Sequence, residues 1–384
     1  MPKRIVFTWS LCWLICLSAN AQLTFQITNI PDYTPLTNEI FIVGNFNNWN
    51  PGDDNFKLEK TGDEQFSITF NPPVGQVEFK FTRGNWAGVE GNADGFQRPN
   101  RTVQYTGAPQ TVSVSIASWE DLEYRNPPNS SAAENVDYLS QNFAMPQFNR
   151  NRRIWIYLPP DYGTADKRYA VLYMHDAQNL FDNATSFSGE WRVDEALNEH
   201  FERTQRGVIV VGIDNGGSTR IGEYTPHPNP NYGGGDGEAY TDFIVKTLKP
   251  YVDANYRTLP ERQNTGIIGS SLGGLISLYA AIEHQEVFGM AGVFSPSLWF
   301  SDEIYTHVKS IGKEENMRIF LLAGEQEDSG SVVLDNQRMY KTLRRAGFRQ
   351  KELRYATHPD GQHSEWYWAR EFPAAFAWLF ANNW

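Results

Sequence analysis

Between residues 22 and 118, short apolar runs alternate residue by residue with polar positions and are broken by turn-forming residues. The runs fall at 23–27, 39–43, 65–70, 76–82 and 111–116. A period of two over five to eight residues predicts strands with one buried face, and this spacing predicts a small antiparallel, immunoglobulin-like β-sandwich. Residues 119–135 break the pattern with Pro127, Pro128, Asn129, Ser130 and Ser131, and are expected to form a linker.

From 136 to 384 the pattern changes. β-type runs fall at 153–158, 170–174, 208–213, 266–269, 290–294, 319–323 and 353–356, most of them continuously apolar, as strands buried on both faces require. Between them, 194–203, 238–251, 272–283, 332–346 and 366–380 carry apolar residues at helical spacing. Strands alternating with helices predict a three-layer α/β domain around a mostly parallel sheet. No internal repeat is visible.

Residues 1–21 stand apart from both patterns. Lys3 and Arg4 precede an apolar run over 5–17, and Ala19, Asn20 and Ala21 supply a cleavage site, so the segment is expected to be a secretory signal peptide. That implies export to the periplasm or the extracellular space. The run is too short to span a bilayer, and no other long apolar stretch follows it. Both cysteines, Cys12 and Cys16, lie inside the segment. The processed chain would therefore hold no disulfide, no thiolate-bound metal and no cysteine nucleophile. Cleavage removes Lys3 and Arg4 and takes the formal charge from −12 to −14, a surface that repels phosphate backbones and excludes nucleic acid as a partner.

One segment carries candidate chemistry on its own. Gly269-Ser270-Ser271-Leu272-Gly273-Gly274 joins the strand ending near 269 to the helix over 272–283 and places Ser271 at the centre of G-x-S-x-G. Glycines two residues to either side allow a turn tight enough to push a serine hydroxyl out of the sheet. The backbone N–H of Leu272, at the helix start, is placed to hold an oxyanion. The alternative is a tight turn selected for packing.

A serine hydroxyl needs a base and an orienting acid, in the chain order Ser, acid, His. The run over 319–323 ends in Gly324-Glu325-Gln326-Glu327-Asp328, which offers Glu325, Glu327 and Asp328 at a strand end. The run over 353–356 leads to Thr357-His358-Pro359-Asp360-Gly361-Gln362-His363, with His363 directly before a helix and His358 competing. The second oxyanion donor is expected in the loop after 170–174, which reads His175-Asp176-Ala177-Gln178-Asn179. The His175-Asp176 pair has no further ligands at zinc spacing, so neither a catalytic metal nor a cofactor is expected.

With these residues in place, 136–384 resembles the esterase D type of α/β-hydrolase, which includes feruloyl and acetyl-xylan esterases, enterochelin-type siderophore esterases, S-formylglutathione hydrolases and mycolyltransferases. The resemblance rests on Arg152 to Tyr162, Leu172 to Asp182, Arg220 to Pro226, Gly269 to Gly274, Phe294 to Trp299 and Gly361 to Glu365. It implies Ser271 as nucleophile, Glu327 as acid with Asp328 as the alternative, His363 as base, and the amides of Leu272 and Gln178 as oxyanion donors. Ala177 stands where that family usually has glycine. Arg220, Glu223 and Tyr224 either face the substrate or form an internal ion pair with a packed tyrosine.

Residues 39–116 resemble a starch- or glycogen-binding β-sandwich, through Ile42 to Pro51, Glu78 to Trp86 and Pro99 to Arg101. The resemblance implies that Trp49, Lys80 and Trp86 hold sugar, the indoles stacking on its C–H faces; the alternative is that the tryptophans fill the sandwich edge. Together the two halves imply an exported serine esterase that deacylates a carbohydrate-linked ester of feruloyl or acetyl type, with polysaccharide as a partner of the first domain. Siderophore or other small-ester hydrolysis, acyl transfer, and an inactive glycan-binding protein are the alternatives.

Overall fold

Period-two alternation in Leu23–Asn29 puts Leu23, Phe25 and Ile27 on one face, where all three are buried. The computed structural model describes residues 22–35, 39–62, 64–93, 95, 98–121, 130–186 and 189–381. The expected signal peptide at 1–21 lies outside these residues, as do residues 122–129 of the expected linker. Two compact units divide between Arg125 and Asn126. Among the described residues, no helix is long and apolar enough to cross a membrane.

The first unit is a β-sandwich. One sheet orders Glu59–Lys60, Phe66–Phe70, Leu23–Asn29 and Gln110–Ser115, and a second orders Phe41–Gly44, Gly75–Thr82 and Arg101–Tyr105. The first sheet is not wholly antiparallel, because Leu23–Asn29 runs parallel to Gln110–Ser115. Phe25, Phe79 and Phe81 meet edge to face between the sheets, with centroids 4.6 and 5.7 Å apart. Trp119, one residue beyond the expected boundary at 118, is fully buried in this core, and its indole N–H donates to Thr34 Oγ1 at 2.8 Å.

The second unit is built on eight strands: β1 (Val136–Met145), β2 (Arg150–Tyr157), β3 (Ala170–His175), β4 (Val208–Ile213), β5 (Thr265–Ser270), β6 (Met290–Phe294), β7 (Arg318–Gly324) and β8 (Leu353–His358). Their order is β1-β2-β4-β3-β5-β6-β7-β8. From β4 onward every pairing is parallel, while β1 and β2 pair antiparallel at one edge. Both faces are covered, which explains the continuous apolar runs. Ile267, Ala291, Val293, Ile319 and Leu321 point into one core, with the helix α5 named below. Ile268, Met290, Phe294, Phe320 and Leu322 point into the other.

The helices are α1 (Val193–Thr204), α2 (Arg220–Tyr224), α3 (Gly237–Phe243), α4 (Lys249–Asn255), α5 (Leu272–Glu283), α6 (Glu303–Ile311), α7 (Ser331–Arg345) and α8 (Glu365–Leu379). The periodic stretch 238–251 is not one α-helix, because Ile244–Leu248 forms a π-helical segment between α3 and α4. This topology releases the chain after β5, β7 and β8 at the same edge of the sheet, where open α/β sheets place their ligands.

Candidate active site

Ser271 alone turns the chain between β5 and α5. Its φ of 57° and ψ of −125° lie outside the regions open to most residues, a strain on the order of 1–3 kcal/mol. Neighbouring backbone holds it there. Ser271 N–H donates to Phe294 O at 2.9 Å, and Ser271 O accepts from Leu275 N–H at 3.1 Å and Ser297 N–H at 3.0 Å. The flanking glycines are sterically required: a Cβ on Gly269 would lie 2.6 Å from the Gly273 carbonyl and 2.8 Å from the His175 ring, and one on Gly274 would lie 2.8 Å from Phe294 O.

The acid cluster after β7 resolves by direction. Glu327 is buried, and its Oε1 accepts from Gly324 N–H at 2.6 Å and from Ser295 Oγ at 2.7 Å. Its Oε2 lies 2.7 Å from His363 Nδ1. Asp328 and Glu325 are exposed, and Glu325 accepts from Thr357 Oγ1 at 3.3 Å. His358 sits elsewhere, with Nδ1 3.1 Å from Tyr367 Oη and Nε2 3.6 Å from Glu371. Desolvation by its neighbours pulls the His363 imidazole down, but the Glu327 hydrogen bond and charge outweigh it and hold the ring above its ordinary value.

Two serines that sequence reasoning did not single out complete this arrangement. Ser297 Oγ stands 3.2 Å from Ser271 Oγ. Ser295, with φ at 41°, passes a hydrogen bond along: Trp368 Nε1 donates to Ser295 Oγ at 2.8 Å, and that hydroxyl donates to Glu327. The available signal was polar Ser295 and Ser297 directly after the apolar strand β6, at the edge that carries Ser271.

The loop after β3 forms a single 3₁₀ turn over Ala177–Asn179. The residue in the left-handed region is Asp176, at φ 56°, not Ala177, so alanine in place of glycine costs nothing in backbone strain. Gln178 is buried, and its side-chain Oε1 accepts from Asn215 N–H at 3.2 Å. Leu272 is the first residue of α5, so its N–H belongs to the donors that a helix start leaves without an intrahelical partner.

Of the two readings of Arg220, Glu223 and Tyr224, the internal contacts are present in the structure. Arg220 grips Asp176 with two bonds of 2.8 and 2.9 Å. Burial alone would raise the Asp176 carboxyl, and this guanidinium holds it below the usual carboxylate range. Glu223 is buried between Arg152, at 2.7 Å, and Arg150, at 3.0 Å. Tyr224 is fully buried, and its hydroxyl accepts from Asp176 N–H at 3.3 Å. Beneath the serine turn, burial pushes the His175 imidazole down to about 4, so the ring stays neutral while Nδ1 meets Tyr240 Oη at 3.0 Å.

In the first unit, Trp49 and Trp86 lie with ring centroids 6.5 Å apart at 31°, and Trp86 is 46% exposed. Lys80 departs from the expected sugar contact. It is buried, and its ammonium donates to Arg98 O at 2.5 Å.

The sequence model of the Esterase family matches residues 145–379. The chain belongs to the Esterase family. As the family implies, it is a carboxylic ester hydrolase. The uncharacterized protein YbbA of Bacillus subtilis (strain 168) is 29% identical over 247 residues, which are 61% of this chain and 94% of YbbA. An endo-1,4-beta-xylanase/feruloyl esterase of Xylanibacter ruminicola is 24% identical over 63% of this esterase and 31% of its own length. An alpha-amylase of Niallia circulans is 38% identical over 101 residues, 26% of this esterase but 8% of the amylase, and this likeness supports the N-terminal β-sandwich. A crystal structure of the enterobactin esterase FES from Shigella flexneri shares the fold with a TM-score of 0.55 at 17% identity, covering 94% of this esterase and 93% of FES.

Proposed function

We propose that this esterase is exported and cleaves a carbohydrate-linked ester, of feruloyl or acetyl type, through a triad of Ser271, His363 and Glu327. The observation that carries the reading is the 2.7 Å bond from Glu327 Oε2 to His363 Nδ1, on the same sheet edge as the strained Ser271. Glu327 fixes the tautomer with the proton on Nδ1, which leaves Nε2 to take the Ser271 hydroxyl proton as Oγ attacks the ester carbonyl. The N–H groups of Leu272 and Gln178 receive the oxyanion that forms. His363 then returns its proton to the departing alkoxide, and water, deprotonated by the same nitrogen, hydrolyses the acyl-enzyme.

The carbohydrate assignment rests on the feruloyl-esterase relative, the amylase-like first unit and its exposed indole pair. A second reading, siderophore ester hydrolysis, is favoured by the fold shared with FES over both units. Parallel kcat/KM measurements on feruloylated and acetylated xylan fragments and on a catecholate siderophore decide between them. We expect at least about tenfold preference for a xylan ester, equivalent to about 1.4 kcal/mol of transition-state binding. The reverse preference overturns the carbohydrate reading.

A further inference from the structure

Glu190, Asp194 and Glu195 bring carboxylate oxygens within 4.8 Å of one another at the start of α1. Asp194 has no exposed surface; its Oδ2 accepts from Ala133 N–H at 2.8 Å, while Oδ1 is buried with no hydrogen-bond partner among the described residues. Glu195 Oε2 is likewise buried without a partner, and its Oε1 meets Arg192 Nε at 3.3 Å. Glu190 accepts from the Ser131 hydroxyl, 3.0 Å from each of its oxygens. Three carboxylates thus share one arginine, with Asp182 adding further negative charge nearby.

Two buried, unpartnered acceptor oxygens in one acidic cluster are costly unless a cation or a proton lies between them. Oxygens that share one calcium ion at about 2.4 Å lie at most about 4.8 Å apart, and an all-carboxylate set suits a hard cation rather than zinc. Glu190 and Glu195 are only partly buried, which leaves a route for the ion.

We propose that Glu190, Asp194 and Glu195 form a calcium site that pins the chain entering the esterase unit to the start of α1. The entering segment already lies against this region: Ser130 Oγ donates to Asp182 Oδ2 at 2.9 Å, and Ser131 N–H to Asp182 Oδ1 at 3.1 Å. The same turn supports the oxyanion loop, because Trp191 N–H donates to Asn179 O at 2.8 Å and Val193 N–H to Leu180 O at 3.0 Å. The ion would therefore brace the turn that carries Gln178 without touching substrate.

The test uses the full chain, stripped with EDTA, in thermal melts with calcium or magnesium and in titration with terbium, whose emission Trp191 beside Glu190 can sensitise. Calcium at a hundredfold excess over its Kd should raise Tm by about 5 °C or more, magnesium by less. Terbium emission excited through tryptophan should appear and be displaced by calcium. Glu190→Gln and Glu195→Gln should each remove most of the shift and the emission. If calcium leaves Tm unchanged, or acts equally on wild type and Glu190→Gln, the cluster holds a shared proton and the site is refuted.

Discussion

At the residue scale, the two candidate acids were separated by direction rather than by type. Glu327 and Asp328 are adjacent carboxylates, and no pattern in the sequence says which turns inward. The choice is made by Gly324 N–H and Ser295 Oγ, which capture Glu327 Oε1 while Asp328 stays exposed. Glu327→Gln should lower kcat by roughly 10²–10⁴, whereas Asp328→Asn should change it by less than about threefold. The Glu327 charge also sets the pH profile. The proposed mechanism needs neutral His363, whose pKa the Glu327 interaction holds above its ordinary value, so kcat/KM should fall with acid at a midpoint above about 6.5. In Glu327→Gln the raising partner is gone and desolvation remains, so the midpoint should move down; a midpoint that does not move contradicts the assignment. Arg220, Glu223 and Tyr224 were ambiguous for the opposite reason: charged residues near a site read alike whether they face a ligand or, as with Glu223 between Arg150 and Arg152, one another.

At the element scale, strands buried on both faces were legible because continuous apolar runs have few other uses. β4 and β6 match their runs residue for residue. The edge strand β1 was not legible: it reads VDYLSQNFAM, mixes exposed and half-buried positions, and shifts register twice against β2. The π segment Ile244–Leu248 was hidden for a similar reason, since helical spacing does not distinguish α from π over five residues. The serine turn makes a graded prediction about backbone crowding. Gly269→Ala would place a Cβ 2.6 Å from main chain, while in Gly273→Ala the nearest atoms are side-chain atoms at 3.3 and 3.4 Å. Urea melts should show Gly269→Ala destabilised by about 3 kcal/mol or more and Gly273→Ala by about 1 kcal/mol. Equal losses would mean that the turn is not close-packed.

At the scale of the whole molecule, the sequence pattern announced two units by the change from short, turn-broken β runs to β runs that alternate with helical ones. The sugar contact proposed for the first unit rests on the indoles rather than on Lys80, whose ammonium donates to Arg98 O. Retention on insoluble polysaccharide should therefore fall by roughly two- to tenfold in Trp86→Ala, in line with about 0.5–1.5 kcal/mol for an aromatic contact, and should persist in Ser271→Ala. Retention that survives Trp86→Ala unchanged would assign the exposed indole to the sandwich edge alone. The central claim remains the nucleophile. Intact protein treated with a fluorophosphonate and mapped by peptide mass spectrometry should carry one adduct, on Ser271, and lose p-nitrophenyl acetate hydrolysis in proportion to labelling. An adduct on another serine, or hydrolysis that survives in Ser271→Ala, would contradict the account.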